Sequence, residues 1–424
     1  MAGYNGSFQG FQGFQGFQGF QGFQGFQGFQ GFQGFQGFGS VILPGADPAT
    51  SFALTSSREE LVQRRIVTLW NPLRKQGSAP DGLPPFLDIE RSDDWADDIR
   101  VENCMTELMQ PLHLTVSKKG MVSARHVVPR ISANGSWGAV ETHRIIEISR
   151  PPAALFEAQT QGVFDMGDLR NERMAEIVSQ IGIPMQFWAS IVDLNSTDKP
   201  RTLELLSIAL QCLSHVNQIA KHAFGCPRPT AYSPSIQPMI NPRRFGAFPC
   251  GHAAEAFLVA RLLQELSGQC PFDQDDSGNR NDLALRQQLQ RLAKRISDNR
   301  VVAGVHFQID NVAGRMVGET IAEYVLHRCR GCGWQARKFN GKRTMEYGKP
   351  RPELLKDFDR HQPMDKNDPA QQTLAPYFMP LDYEKPSETE GTILQAPVTP
   401  EKRDTLLGRA WTRALAEWAD WPRC

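Results

Sequence analysis

Asn299-Arg300-Val301-Val302-Ala303-Gly304-Val305-His306-Phe307-Gln308-Ile309-Asp310 is the stretch from which the rest of the chain is best read. Upstream, Leu285, Leu289, Leu292 and Ile296 recur at helical spacing, which predicts a helix over 282–297. Downstream, a second helix is predicted from about Val305 to Arg328, and its Ala313, Gly314, Val317 and Gly318 would let another helix approach closely. If His306 opens that helix, Asp310 lies one turn on, on the same face. A carboxylate there accepts a proton from one imidazole nitrogen, fixes the tautomer and leaves the other nitrogen bare and nucleophilic. Arg300 adds a guanidinium suited to bidentate contact with an oxyanion.

Two further blocks sit at helix ends. Lys221-His-Ala-Phe-Gly-Cys-Pro-Arg228-Pro229 follows a predicted helix over 201–222, marked by Leu203, Leu206, Leu210, Leu213 and Val216. Its prolines force the chain out of the helix and set Arg228 on a stiff turn, so little entropy is lost when it grips an anion. Pro249-Cys250-Gly251-His252 precedes a helix predicted over Ala253–Leu266. Gly251 permits close backbone approach, and a helix start offers unused N–H groups and the positive end of the dipole. Each residue alone has an ordinary reading, as a cap, a core group or a solvated cation. Three cations and two histidines in three such blocks point instead to a local oxyanion site.

The three blocks resemble the signature of the superfamily that joins type 2 phosphatidic acid phosphatases, bacterial class A acid phosphatases and vanadium-dependent haloperoxidases. That signature is K-x6-R-P, then P-S-G-H, then S-R-x5-H-x3-D. Here it reads Lys221 to Pro229, Pro249 to His252 and Asn299 to Asp310, with order and internal spacing kept. The resemblance implies an all-α helical bundle. It implies that Lys221, Arg228, Cys250, Gly251 and Arg300 bind phosphate or vanadate. It also implies that His306 is either the phosphatase nucleophile or the ligand of vanadium, that His252 is the acid–base group and that Asp310 orients His306.

Cys250 stands where the family has serine, and a thiol is the weaker donor. Three neighbouring cations would pull its pKa down, and a thiolate would repel the anion. A peroxide-handling enzyme would risk oxidising it. Gly304 to Asn311 looks like haloperoxidases, since lipid phosphatases usually carry proline where Gln308 sits. The 23 residues between Arg228 and His252 look more like acid phosphatases. The resemblance thus leaves a vanadate-bound, peroxide-dependent haloperoxidase slightly ahead of a phosphatase that needs no cofactor. A third alternative is an attenuated scaffold acting through its N-terminal repeat.

That repeat is ten consecutive Phe-Gln-Gly triplets over 8–37. It fits neither helical nor strand periodicity, and without proline it is not collagen-like. It reads as a disordered tail whose spaced rings suit self-association or docking, which leaves room for a homo-oligomer. The expected organisation is the tail (1–40), a mixed N-terminal region (41–165), a helical catalytic core (166–330) and a polar, proline-rich extension (331–424). In the N-terminal region a helix is expected from Ser56-Ser57, loop over 76–100, and short strands at Leu112–Val116 and Arg144–Ile148 with a turn at Asn134-Gly135. The extension ends in a short helix near Leu406–Trp418 that Trp411, Trp418 and Trp421 would dock. Cys329 and Cys332 form a lone CxxC, read as two structural thiols past a helix end. Forty-six basic side chains balance 46 acidic ones, which argues against nucleic acid as a partner and for a small-molecule substrate. With no spanning stretch or secretory signal apparent, an integral membrane segment is not expected and a cytoplasmic location is.

Overall fold

The computed structural model describes residues 89–118, 120–131, 137–242, 245–268, 280–350 and 405–419. The Phe-Gln-Gly tail, the helix expected from Ser56, the Asn134-Gly135 turn and Trp421 lie outside them. A 3-10 turn, Ile89–Asp94, leads into α1 (Asp97–Met109), so the C-terminal part of the expected 76–100 loop is ordered structure. Strands β1 (Leu112–Val116), β2 (Met121–Ile131) and β3 (Trp137–Ser149) follow. The helices come next: α2 (Ala153–Asp165), α3 (Arg170–Ser179), α4 (Met185–Val192), α5 (Pro200–Phe224), α6 (Gly251–Leu266), α7 (Arg280–Val302) and α8 (Gln308–Arg330). Strand β4 (Arg337–Phe339), the small pair β5 (Met345–Glu346) and β6 (Lys349–Pro350), and α9 (Leu406–Ala416) complete the described residues.

The protein is mostly helical with a few strands before the helices, as expected, but those strands build a larger sheet than the short runs in the sequence suggested. Strands β1 to β4 form a four-stranded sheet in that order, antiparallel except for the parallel β3–β4 pair. The strands are not short, since β2 has 11 residues and β3 has 13. Register shifts at Ala124/Arg125 and Pro129/Ile131 interrupt the alternation by which a strand is recognised in sequence. The sheet belongs to the body of the protein: Val122, Ala124, Ile145, Ile146 and Ile148 are buried in one core with the helices. Strand β4 arrives only after α8, and Trp334 Nε1 donates to the Arg144 carbonyl at 3.0 Å.

Helix α5 starts with Pro200 at its first position, where no backbone N–H is required. It ends at Gly225, whose φ of 57° gives the left-handed cap and returns its N–H to the Lys221 carbonyl. The glycine, not the prolines after it, stops the helix. Leu203, Leu206, Leu210, Leu213 and Val216 are buried, as the helical spacing requires. Helix α9 docks on α5 and α8: buried Trp418 donates its Nε1 to Thr202 Oγ1 at 2.9 Å, and the buried Trp411 ring lies 5.4 Å from the Arg330 guanidinium of α8. Cys329 lies within the last turn of α8 and is buried, while Cys332 is exposed beyond the Gly331 cap.

The tightest packing joins α6 and α8. A Cβ on Gly314 would stand 2.5 Å from the Cys250 carbonyl oxygen, and one on Gly318 would stand 2.2 Å from that of Ala254. Both obstacles are backbone and cannot swing aside. Gly318→Ala should therefore lower stability by about 1–3 kcal/mol through overpacking, despite the better helix propensity of alanine. Urea unfolding checks this, and a variant as stable as the parent would contradict it.

Candidate oxyanion site

His306 sits in the loop between α7 and α8, not at the start of α8. Phe307 is the N-cap and Asp310 the third helical residue, so Asp310 reaches back in the manner of a capping box. Its Oδ2 accepts from the Phe307 N–H at 2.9 Å and meets His306 Nδ1 at 2.9 Å. The contact expected from helical spacing is present, but capping geometry makes it. With Nδ1 carrying the proton toward the carboxylate, Nε2 holds a lone pair. The Arg228 Nη1 group donates to Nε2 at 2.8 Å and to the Val305 carbonyl at 2.8 Å. Burial, with Arg228, Lys221, His252 and Arg300 nearby, holds the His306 pKa well below its ordinary value. The ring is neutral at pH 7. Burial also raises the Asp310 carboxyl to about 6, against opposing pulls from the Phe307 N–H, Lys221 and Arg228.

Lys221 projects from the last turn of α5 and donates to the carbonyls of Gly246 and Ala247 at 3.1 and 2.9 Å. Burial, and next Arg228, lower its pKa to about 8. The Phe245 ring lies 5.2 Å from the Lys221 ammonium and 5.5 Å from the Arg228 guanidinium and is partly exposed. Arg300, in the last turn of α7, is fully buried. Its Nη2 donates to the Ile177 carbonyl at 3.2 Å and to Gln180 Oε1 at 3.3 Å. Among the described residues its Nε and Nη1 have no hydrogen-bond acceptor. Buried donors of a charged group rarely go unpaired, so the chemistry that fits here is an anion with several acceptor oxygens.

Cys250 caps α6 and is fully buried; its N–H donates to the Asp310 carbonyl at 2.9 Å. Burial raises its thiol pKa to about 11, outweighing the downward pull of Lys221 and Arg228. The expected thiolate therefore does not form at neutral pH, because desolvation of the anion exceeds the attraction of the cations. Gly251 opens α6, whose first-turn N–H groups the helix itself does not use. Half-buried His252 turns Nε2 to the carbonyls of Gln180 and Ile181 at 2.9 and 3.3 Å, so that nitrogen carries a proton.

The eight residues expected from sequence thus converge from α5, α6, α7, α8 and their flanking loops. Sequence reasoning missed Gln180, which touches both Arg300 and the His252 ring through one residue. It also missed Asn217, buried one turn before Lys221 on α5, whose Nδ2 would lie 3.5 Å from a Cβ on Gly251. Neither belongs to the three blocks, and a single amide in a helical stretch gives no sequence signal. Asn299 donates its amide to Glu176 and to Gln180 Oε1, the oxygen that Arg300 also reaches, and ties α7 to α3.

Among the described residues no helix is long and apolar enough to cross a membrane. The pKa of Lys221 gives a direct expectation for anion binding. Below about 8 the ammonium is charged, and above it the site loses one of its cations. Tungstate stays a dianion over that range, so its affinity, measured calorimetrically, should fall as pH rises through about 8. An affinity unchanged up to pH 9.5 would contradict the reading of Lys221 as an anion contact.

No curated protein matches the chain. The family profile described as the PAP2 superfamily does match, over residues 203–330, which run from the first turns of α5 to the end of α8 and contain all eight residues of the cluster. Motif order, helical scaffold and profile agree, and residues 203–330 are a PAP2 superfamily domain.

Proposed function

We propose that the cluster binds a tetrahedral oxyanion and that the chain is a haloperoxidase-like enzyme of its superfamily, using vanadate held at His306 to oxidise halide with peroxide. The observation that carries this reading is the pairing of a neutral His306, lone pair on Nε2, with a buried Arg300 whose Nε and Nη1 lack acceptors. An imidazole in that state can donate an electron pair to vanadium, and an unsatisfied guanidinium can receive the oxygens. Bound vanadate would supply Lewis-acid activation of peroxide.

The chain's own residues have separable tasks. Asp310 keeps the His306 proton on Nδ1, so Nε2 would be the atom that holds vanadate. Arg228 shifts its N–H from Nε2 to an oxyanion oxygen when the anion arrives. Lys221, Arg300 and the Gly251 N–H neutralise the remaining oxygens. His252 sits at the half-buried rim and exchanges protons with the reacting oxygen. Cys250, neutral at pH 7, does not repel the anion, though it donates more weakly than a hydroxyl. Gln308 favours this reading over lipid-phosphatase chemistry. It occupies the first helical position of α8, where proline would fit without cost, so the glutamine is not forced by the backbone.

A phosphomonoesterase is the second reading, favoured by the short spacer between Arg228 and His252. His306 Nε2 would form the N–P bond as the P–O bond to the alcohol breaks, and His252 would protonate the leaving oxygen. Water would then cleave the phosphohistidine, passing its proton to His252. This route uses the same residues and no cofactor.

Calorimetry with orthovanadate, beside assays of bromide oxidation by peroxide and of p-nitrophenyl phosphate hydrolysis, separates the readings. Vanadate binding with bromide oxidation, both abolished by His306→Ala, is the expected result. Phosphate release inhibited by vanadate would replace it with the phosphatase. No vanadate binding would overturn both and direct attention to the Phe-Gln-Gly tail as a scaffold. Cys250→Ser should raise turnover roughly 3–10-fold, the worth of one better hydrogen bond to the oxyanion. An unchanged or lower rate would count against Cys250 as an oxyanion contact.

A further inference from the structure

Gln180 follows the last residue of α3 and is fully buried. Its N–H closes α3 on the Glu176 carbonyl at 2.9 Å, so its position is set by the helix end. The side-chain Oε1 accepts from Asn299 Nδ2 at 2.9 Å and from Arg300 Nη2 at 3.3 Å. Two donors facing Oε1 fix the orientation of the amide, and its Nε2 is left buried with no partner among the described residues. The main-chain carbonyl of the same residue accepts from His252 Nε2 at 2.9 Å. One residue therefore holds a cation and a proton-transfer group of the cluster. Both acceptors of Arg300, Gln180 Oε1 and the Ile177 carbonyl, are uncharged. Glu176, the nearest carboxylate on α3, is engaged by Arg295 and by Asn299.

We propose that Gln180 is a positioning residue of the oxyanion site. It fixes Arg300 and His252 relative to each other and, being neutral, adds no second negative charge to that of Glu255, which already acts on the guanidinium. A carboxylate at this position would hold Arg300 equally well and would cancel the charge of the guanidinium. The unpartnered Nε2 adds a donor to the same buried region, where Arg300 Nε and Nη1 also lack acceptors. The inference rests on the oxyanion reading of the cluster, and its test keeps the two apart.

Gln180→Glu is nearly isosteric and retains the acceptor for Asn299 and Arg300. If Arg300 did not face the anion, the variant would keep the parent's anion affinity and gain stability from the new ion pair. The expected result is an orthovanadate Kd raised at least tenfold by calorimetry, with a melting temperature equal to or above the parent's. Gln180→Met, which removes acceptor and donor without adding charge, should raise Kd by a smaller factor and shift the pH profile of turnover, because Arg300 and His252 are no longer held in register. It also serves as the deciding variant if Gln180→Glu does not fold. Parent-like vanadate affinity in the folded variants would overturn the role of Gln180. A parent protein that binds no vanadate would instead overturn the oxyanion reading, and the inference with it.

Discussion

The contact between α6 and α8 is the constraint on which the site depends. Gly314 and Gly318 let the two backbones approach until a single added methyl would collide with the carbonyls of Cys250 and Ala254. At the N-terminal end of the same seam the Cys250 N–H donates to the Asp310 carbonyl. Two of the three sequence blocks are thereby joined at their backbones, before any side chain is considered. The placement of the Gly251 amide relative to His306 follows from helix packing. The third block joins through Arg228, which bonds the Val305 carbonyl and the His306 ring together.

Electrostatics within this frame work against stability and, on the proposed reading, for anion binding. Lys221 and Arg300 are buried and Arg228 half-buried, and burial lowers the pKa of both Lys221 and Arg300. The one carboxylate in contact with His306, Asp310, is itself raised by burial and is committed to the His306 ring and the Phe307 N–H. A folded protein that keeps unpaired guanidinium donors in its interior carries a cost that a bound anion removes. His306 fits the same logic, since its neighbours are cations and it stays neutral, with its electron pair available.

Much of this was legible in the sequence because spacing carries it. The stripes of Leu203 to Val216 and Leu285 to Ile296 mark α5 and α7, and the small residues of α8 mark the seam with α6. The eight candidate residues stand out in the sequence because each lies near a helix boundary that glycine or proline announces. The sheet was legible only in part. Its bulges at Ala124/Arg125 and Pro129/Ile131 break the period of two, and β4 pairs with β3 across a sequence separation of 191 (Ile146 to Arg337). The charge state of Cys250 was misjudged for a similar reason: sequence displays its cationic neighbours but not its burial, and burial prevails. Gln180 was invisible because a partner of Arg300 from a different helix leaves no local pattern.

The most direct test of the central claim is a crystal structure of the protein soaked in orthovanadate. The expected result is an oxyanion within bonding distance of His306 Nε2, with its oxygens accepting from Arg300 Nε and Nη1 and from Lys221. An oxyanion bound elsewhere, or Arg300 Nε and Nη1 satisfied by ordered water with no anion at His306, would contradict it.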